Sequence, residues 1–316
     1  MSDPPKVILV TGATGRQGGA VVDALLSSPE REKFTILGLT RNPESGPAKR
    51  LEAKSPTIKV IRGDYSDIPA LFKTARDVTS QPVWGVFSVQ TLMGKGASPQ
   101  KEERDGKALI DESIRQGVKQ FVQTSVDRGG DEKSWTNPTY VPHFQSKHNI
   151  ELHLRDETAK GGGKMQWCIL RPTAFMDNFQ PGFGTKVFMA AWRDVLGDKP
   201  LQMVAVDDIG RHAARAFINP HEYSGKAIGL AGDEVNYQQV DDIFKQKLGH
   251  GAGATYGFLG KTLLWGVKTV AVMMDWFKNE GYGVDIPKLR QTDPELLDFA
   301  TWLERRSGFA NKRVDA

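Results

Sequence analysis

Cysteine is nearly missing: Cys168 is the only one in 316 residues, which excludes an intrachain disulfide and a thiolate metal cage. Neither sign of charge dominates, with 42 Lys and Arg set against 38 Asp and Glu. The two signs are interspersed, so the basic stripe of a nucleic-acid-binding surface is lacking and no direct nucleic-acid contact is expected. The local cluster Arg305, Arg306, Lys312 and Arg313 stands in a polar tail, where solvation accounts for it. Long apolar runs are lacking as well. The nearest candidate, residues 258–277, is broken by Lys261, Lys268 and Asp275. Each such charge costs about 2.5–3.5 kcal/mol at the centre of a bilayer, so a buried or half-buried helix is the better reading and no membrane segment is expected. The opening Met1-Ser2-Asp3-Pro4-Pro5-Lys6 has no apolar stretch of the signal-peptide kind. With the lone cysteine, this predicts a reducing compartment, the cytoplasm with or without the nucleus.

What is present is a rhythm. Short apolar runs at 7–10, 34–39, 58–61, 83–89, 121–124 and 167–170 read as strands. Between them, residues 18–26, a stretch from about Ile68, 102–116 and 143–158 have the apolar spacing of helices laid on a sheet. Strand, helix, strand implies parallel pairing with both sheet faces covered. The expected class is therefore α/β, a Rossmann-type doubly wound parallel sheet with a smaller mixed C-terminal lobe. Gly161-Gly162-Gly163 reads as a loop inside this domain. The expected division is 1–172 for the nucleotide-binding domain and 173–316 for the lobe, with about 201–231 returning to the first. After Pro172 the pattern is irregular, broken by Pro181, Gly182, Gly184, Gly197 and Pro200. Helices are expected from Val206 and over 237–248, 258–277 and 294–302.

The first strand runs into Thr11-Gly12-Ala13-Thr14-Gly15-Arg16-Gln17-Gly18 and then into a helix. Glycines between a strand and a helix let backbone N–H groups and a positive helix end approach a diphosphate. Gly12, Gly15 and Gly18 are spaced with two residues, not one, between the first pair, a departure from the three-glycine dinucleotide fingerprint. Arg41 follows the second strand, where an acidic residue would bind the ribose hydroxyls of NAD and an arginine would accept the extra phosphate of NADP. Thr40-Arg41-Asn42 contains no carboxylate, so NADP(H) is the expected cofactor, and Arg16 in the turn can assist.

With those residues in place, the chain resembles the NmrA-like group of atypical short-chain dehydrogenase/reductase proteins. The resemblance rests on the 10–18 turn, Leu39-Thr40-Arg41, Gly63-Asp64, Gly85-Val86-Phe87-Ser88-Val89, His143-Phe144-Gln145-Ser146-Lys147, Arg171-Pro172, Phe175-Met176-Asp177-Asn178 and Gly281-Tyr282-Gly283. It implies a cofactor site of Gly12, Thr14, Gly15, Arg16, Gln17, Gly18 and Arg41, with Asp64 near the adenine. It places Phe87, Ser88, Val89 and Gln90 along the adenosine, Lys147 against the nicotinamide ribose, and Phe175 and Asn178 beside the cofactor.

Reductases of the wider superfamily pair a tyrosine with a lysine four residues later, the lysine lowering the phenol's pKa. Here Lys147 is present but His143 holds the tyrosine's position. His143 can exchange protons near neutrality, Tyr140 can offer a phenol from the preceding loop, and Ser125 occupies the place of a substrate-orienting hydroxyl. Two readings stay open: a regulator that senses NADP(H) through a protein partner, and an NADPH-dependent reductase of a small carbonyl or enone. For the second, Phe175, Met176, Phe179 and Phe183 would line an apolar cleft. His148 and His153 are five apart and do not share a helical face as neatly as an i,i+4 pair, so no metal is expected. Cys168 reads as a core residue, and the oligomeric state is left open.

Overall fold

The computed structural model describes residues 4–90, 96–253 and 268–310. Its main sheet is seven-stranded, built from β1 (Lys6–Val10), β2 (Phe34–Thr40), β3 (Ile58–Arg62), β4 (Val83–Ser88), β5 (Gln120–Thr124), β6 (Gln166–Pro172) and β9 (Lys226–Leu230) in the order β3-β2-β1-β4-β5-β6-β9. Every pairing from β3 to β6 is parallel. The order reverses beside β1, the switch point at which such sheets bind ligands. All five residues of β5 and the last four of β1 are buried, as strands covered on both faces must be.

The connections are helices α1 (Arg16–Ser27), α2 (Gly46–Glu52), α3 (Ile68–Thr79), α4 (Pro99–Arg115) and α6 (Pro142–Lys160). Their starts are written in side chains. Ser45, Asp67 and Ser98 accept from the N–H of Ala48, Ala70 and Lys101, each with a proline in the first turn, where a missing N–H costs nothing. α3 then buries Ile68, Leu71, Phe72 and Ala75 on one face. Gly162 and Gly163 turn the chain from α6 into β6 with φ of 71° and 66°, a region that favours glycine.

The chain divides into two compact units. The first comprises residues 1–125, 145–171 and 209–228, and the second 126–144, 172–208 and 229–316. In the second unit, β8 (Leu201–Val204) lies between β10 (Asp233–Val235), antiparallel to it, and β7 (Ala174–Phe175), parallel to it. Around that small mixed sheet are α5 (Lys133–Thr136), α7 (Phe183–Leu196), α10 (Tyr237–Leu248), α11 (Lys268–Asn279), α12 (Ile286–Thr292) and α13 (Phe299–Arg305). α8 (Val206–Ile218) and α9 (Pro220–Tyr223) lead the chain back toward β9.

Three expectations from sequence are corrected. The irregular stretch after Pro172 contains the 14-residue helix α7, because Gly182 and Gly197 flank it without entering it. The helix expected over 294–302 occupies only Phe299–Arg305; Asp298 caps it by accepting from the N–H of Thr301 at 2.7 Å, which fixes the start. Met176 and Phe179, expected in an apolar cleft, are core residues at 0% and 1% exposure. The Phe179 ring meets Phe299 edge-on at 5.2 Å and Phe188 at 5.7 Å, while Phe183 is exposed. Of the helix expected over 258–277, residues 258–267 lie outside the described residues, as do Lys312 and Arg313. Among the described residues, no helix is long and apolar enough to cross a membrane.

Candidate nucleotide site

In the first unit the chain leaves β1 through Thr11, whose N–H donates to Phe87 O at 3.0 Å and whose Oγ1 accepts from the Val89 N–H at 2.8 Å. The turn is thus fastened to the end of β4. Gly12 has φ +60°, and a Cβ there would stand 2.8 Å from Val89 Cγ1. A Cβ on Gly18 would stand 2.3 Å from Gly12 O and 2.5 Å from its carbonyl carbon, so helix and turn touch backbone to backbone. Gly15 is the N-cap of α1 and no side chain caps the helix. Uncapped N–H groups at a helix start are the donors that a diphosphate requires. The turn therefore fits the group that the sequence implies, since its N–H groups are uncapped and a methyl at either outer glycine would force its packing apart.

Tyr65, which sequence reading passed over, donates from its hydroxyl to Val89 O at 2.9 Å. The hydroxyl is enclosed although the ring is half-exposed, and its burial pushes the phenol up to about 12. Asp64 accepts from the Ser66 hydroxyl and, at 2.7 Å, from the Ser66 N–H. These bonds, with smaller contributions from Lys101 and Arg41, hold its carboxyl below the usual range. Beyond the ends of β2 and β3 lies a pocket of about 260 Å³ whose wall includes Arg41, Arg62, Asp64, Ser66 and Asp67.

Other expected residues are committed to the protein. Gln17 Oε1 accepts from Thr124 Oγ1 at 2.7 Å. Ser88 is fully buried, and its Oγ accepts from Gln90 Nε2 at 2.8 Å. Lys147, on α6, pairs with buried Glu102 of α4 at 2.9 Å, and Ser146 donates to the same carboxylate. Ser125 donates to Glu151, which is fully buried and paired with the equally buried Arg171 at 2.7 Å. Sequence reading singled out neither glutamate; their partners are 20 to 45 positions away. Cys168 is buried in β6, and burial pushes its thiol well up.

Tyr140, His143, Phe175 and Asn178 belong to the second unit. The Tyr140 hydroxyl donates to Asp275 at 2.7 Å; desolvation and then this carboxylate raise the phenol above its ordinary value. That direction is opposite to the one a lysine imposes on a proton-donating tyrosine. The His143 ring lies edge-on to Phe144 at 4.6 Å. Phe175 is half-buried and Asn178 exposed.

A parallel sheet with this strand order and a glycine turn at its switch point defines a Rossmann-type fold. The chain belongs to the NmrA-like family, whose sequence model matches residues 4–282. An NmrA-like family protein of Dictyostelium discoideum is 25% identical over 248 residues, spanning 76% of this chain and 77% of its own. An NmrA-like family oxidoreductase of Aspergillus hancockii is 26% identical, spanning 78% of this chain and 74% of its own. Among solved structures, the negative transcriptional regulator NmrA in complex with NADP superposes with a TM-score of 0.69 at 16% identity over 99% of both chains. The NADPH-dependent quinone oxidoreductase of Escherichia coli, complexed with NADPH, gives 0.66 at 21% identity over 93% of this chain and 97% of that one. At those identities the likeness is one of fold.

Proposed function

We propose that this protein binds NADP(H) and reports the cofactor's presence or oxidation state to a protein partner. The observation that carries the reading is the contrast between the uncapped glycine turn and the engagement of three of the side chains that a reductase would use. Tyr140 is bonded to Asp275, Ser125 to Glu151 and Lys147 to Glu102. On this reading the turn N–H groups hold the diphosphate, Arg41 the 2′-phosphate, Asp64 the adenine end, and Lys147 the nicotinamide ribose. The cofactor, when bound, supplies a hydride. Sensing requires that the partner's affinity differ between cofactor states.

A second reading, an NADPH-dependent reductase of a small carbonyl or enone, is favoured by a separate observation: several relatives, from Aspergillus hancockii and Penicillium ochrochloron among others, are named oxidoreductases. The experiment has two arms. Partner capture is compared with NADP, NADPH and no cofactor; equal recovery in all three removes the regulator. NADPH consumption is followed over a carbonyl and enone panel; turnover that His143→Ala abolishes establishes the reductase instead. Binding is tested by Arg41→Ala. Loss of a guanidinium–phosphate contact worth about 1.5–3 kcal/mol predicts NADPH binding roughly ten- to a hundredfold weaker, with NADH affinity unchanged, by calorimetry.

A further inference from the structure

We propose that Arg62 is a second specificity-determining residue for the 2′-phosphate, so that selection of NADPH over NADH rests on two guanidinium groups from adjacent strands. The inference deepens the NADP(H) reading above and depends on it. Thr40 of β2 and Arg62 of β3 are register partners in the parallel ladder. Arg41 is the next residue after Thr40, so the two arginines leave neighbouring strands at almost the same level, and such strands lie about 4.8 Å apart. Both line the pocket of about 260 Å³ at the end of those strands.

The same wall carries two carboxylates, and their direct hydrogen bonds go to groups other than the arginines. Asp64 spends its carboxylate on the Ser66 N–H and hydroxyl. Asp67 spends one oxygen on the Ala70 N–H at 2.9 Å as the cap of α3. Among the described residues, neither the Arg41 nor the Arg62 side chain forms a hydrogen bond or a direct ion pair, and Arg41 acts on Asp64 only through space. Both guanidinium groups line the one cavity, and a dianionic phosphomonoester placed there could accept charge-assisted hydrogen bonds from each. A guanidinium fork also matches phosphate oxygens in a way that an ammonium does not.

The test is calorimetry on the full chain with NADPH, NADH, 2′,5′-ADP and 5′-AMP, comparing wild type, Arg62→Ala and Arg62→Lys. The expected result is that Arg62→Ala weakens NADPH and 2′,5′-ADP roughly ten- to a hundredfold, leaves NADH and 5′-AMP unchanged, and is only partly rescued by lysine. The ratio of NADPH to NADH affinity separates a specificity role from a structural one, since misfolding lowers both. Wild-type NADPH affinity retained in Arg62→Ala overturns the assignment while leaving the cofactor reading intact, and so does an equal loss of NADPH and NADH. Failure of the wild-type protein to bind NADPH at all overturns the cofactor reading and this inference with it.

Discussion

Arg171→Met is expected to destabilise the protein by about 3–5 kcal/mol, because it strands a charge in a place with no water to solvate it. Arg171 and Glu151 are both fully buried, joined by Nη2–Oε2 at 2.7 Å and by Nε at 3.2 Å, and the Ser125 hydroxyl completes the carboxylate's shell. Methionine fills most of the arginine's volume but returns none of its donors. Glu151 must then either ionise without its guanidinium partner or take up a proton, and each choice weighs against the folded state. The double variant Arg171→Met with Glu151→Leu removes both charges and should recover much of the loss, since a buried pair replaced by apolar groups of similar size is often near neutral. Urea midpoints followed by circular dichroism measure both. A single variant as stable as wild type would show that the pair is not a keystone of the first unit.

Gly18→Ala should nearly abolish NADPH binding. The added methyl would lie 2.3 Å from Gly12 O and 2.5 Å from Gly12 C, and both are backbone atoms that no rotamer change can move. α1 must withdraw from the turn, at a cost of about 1–3 kcal/mol in stability from overpacking. The withdrawal carries with it the N–H groups poised for the diphosphate. Losing two charge-assisted bonds of about 1.5–3 kcal/mol each predicts a fall in affinity of more than a hundredfold. Because the diphosphate is common to both cofactors, NADH affinity should fall in parallel. That pattern distinguishes this variant from Arg41→Ala. Gly18→Ala binding NADPH within tenfold of wild type would mean that the cofactor is gripped elsewhere.

The parallel sheet was legible because its signals are local. Apolar runs of four to eight residues, the prolines and caps at Ser45, Asp67 and Ser98, and the glycine turn all sit within a few positions of the structure they specify. What escaped depends on distance along the chain. Glu102 and Glu151 read as ordinary helix glutamates, and only the folded chain sets them beside Ser146 and Arg171. Arg62 is the exposed end of a strand that buries only Ile58 and Ile61, and nothing local shows that Arg41 stands one strand away. The aromatic cluster around Phe179 had a period compatible with either a cleft or a core, and the choice turned on partners such as Phe244 and Phe299, 65 or more positions on. The short strands β7 and β10, of two and three residues, carry too little pattern to be read at all.

The first unit closes its sheet with elements encoded long after the rest. Gly210 of α8 lies so close to α1 that a Cβ would be 2.5 Å from the Ala20 backbone, Phe217 covers Gly85 on β4, and β9 forms the last edge beside β6. A gene fragment ending at residue 171 would leave β4 and α1 bare where α8 should cover them, so it should be protease-sensitive and lack cooperative unfolding. The two α8 contacts, with loops of more than a hundred residues to close, also delay maturation. On the ribosome, the first unit cannot finish until residue 228 has emerged, long after its own glycine turn was made.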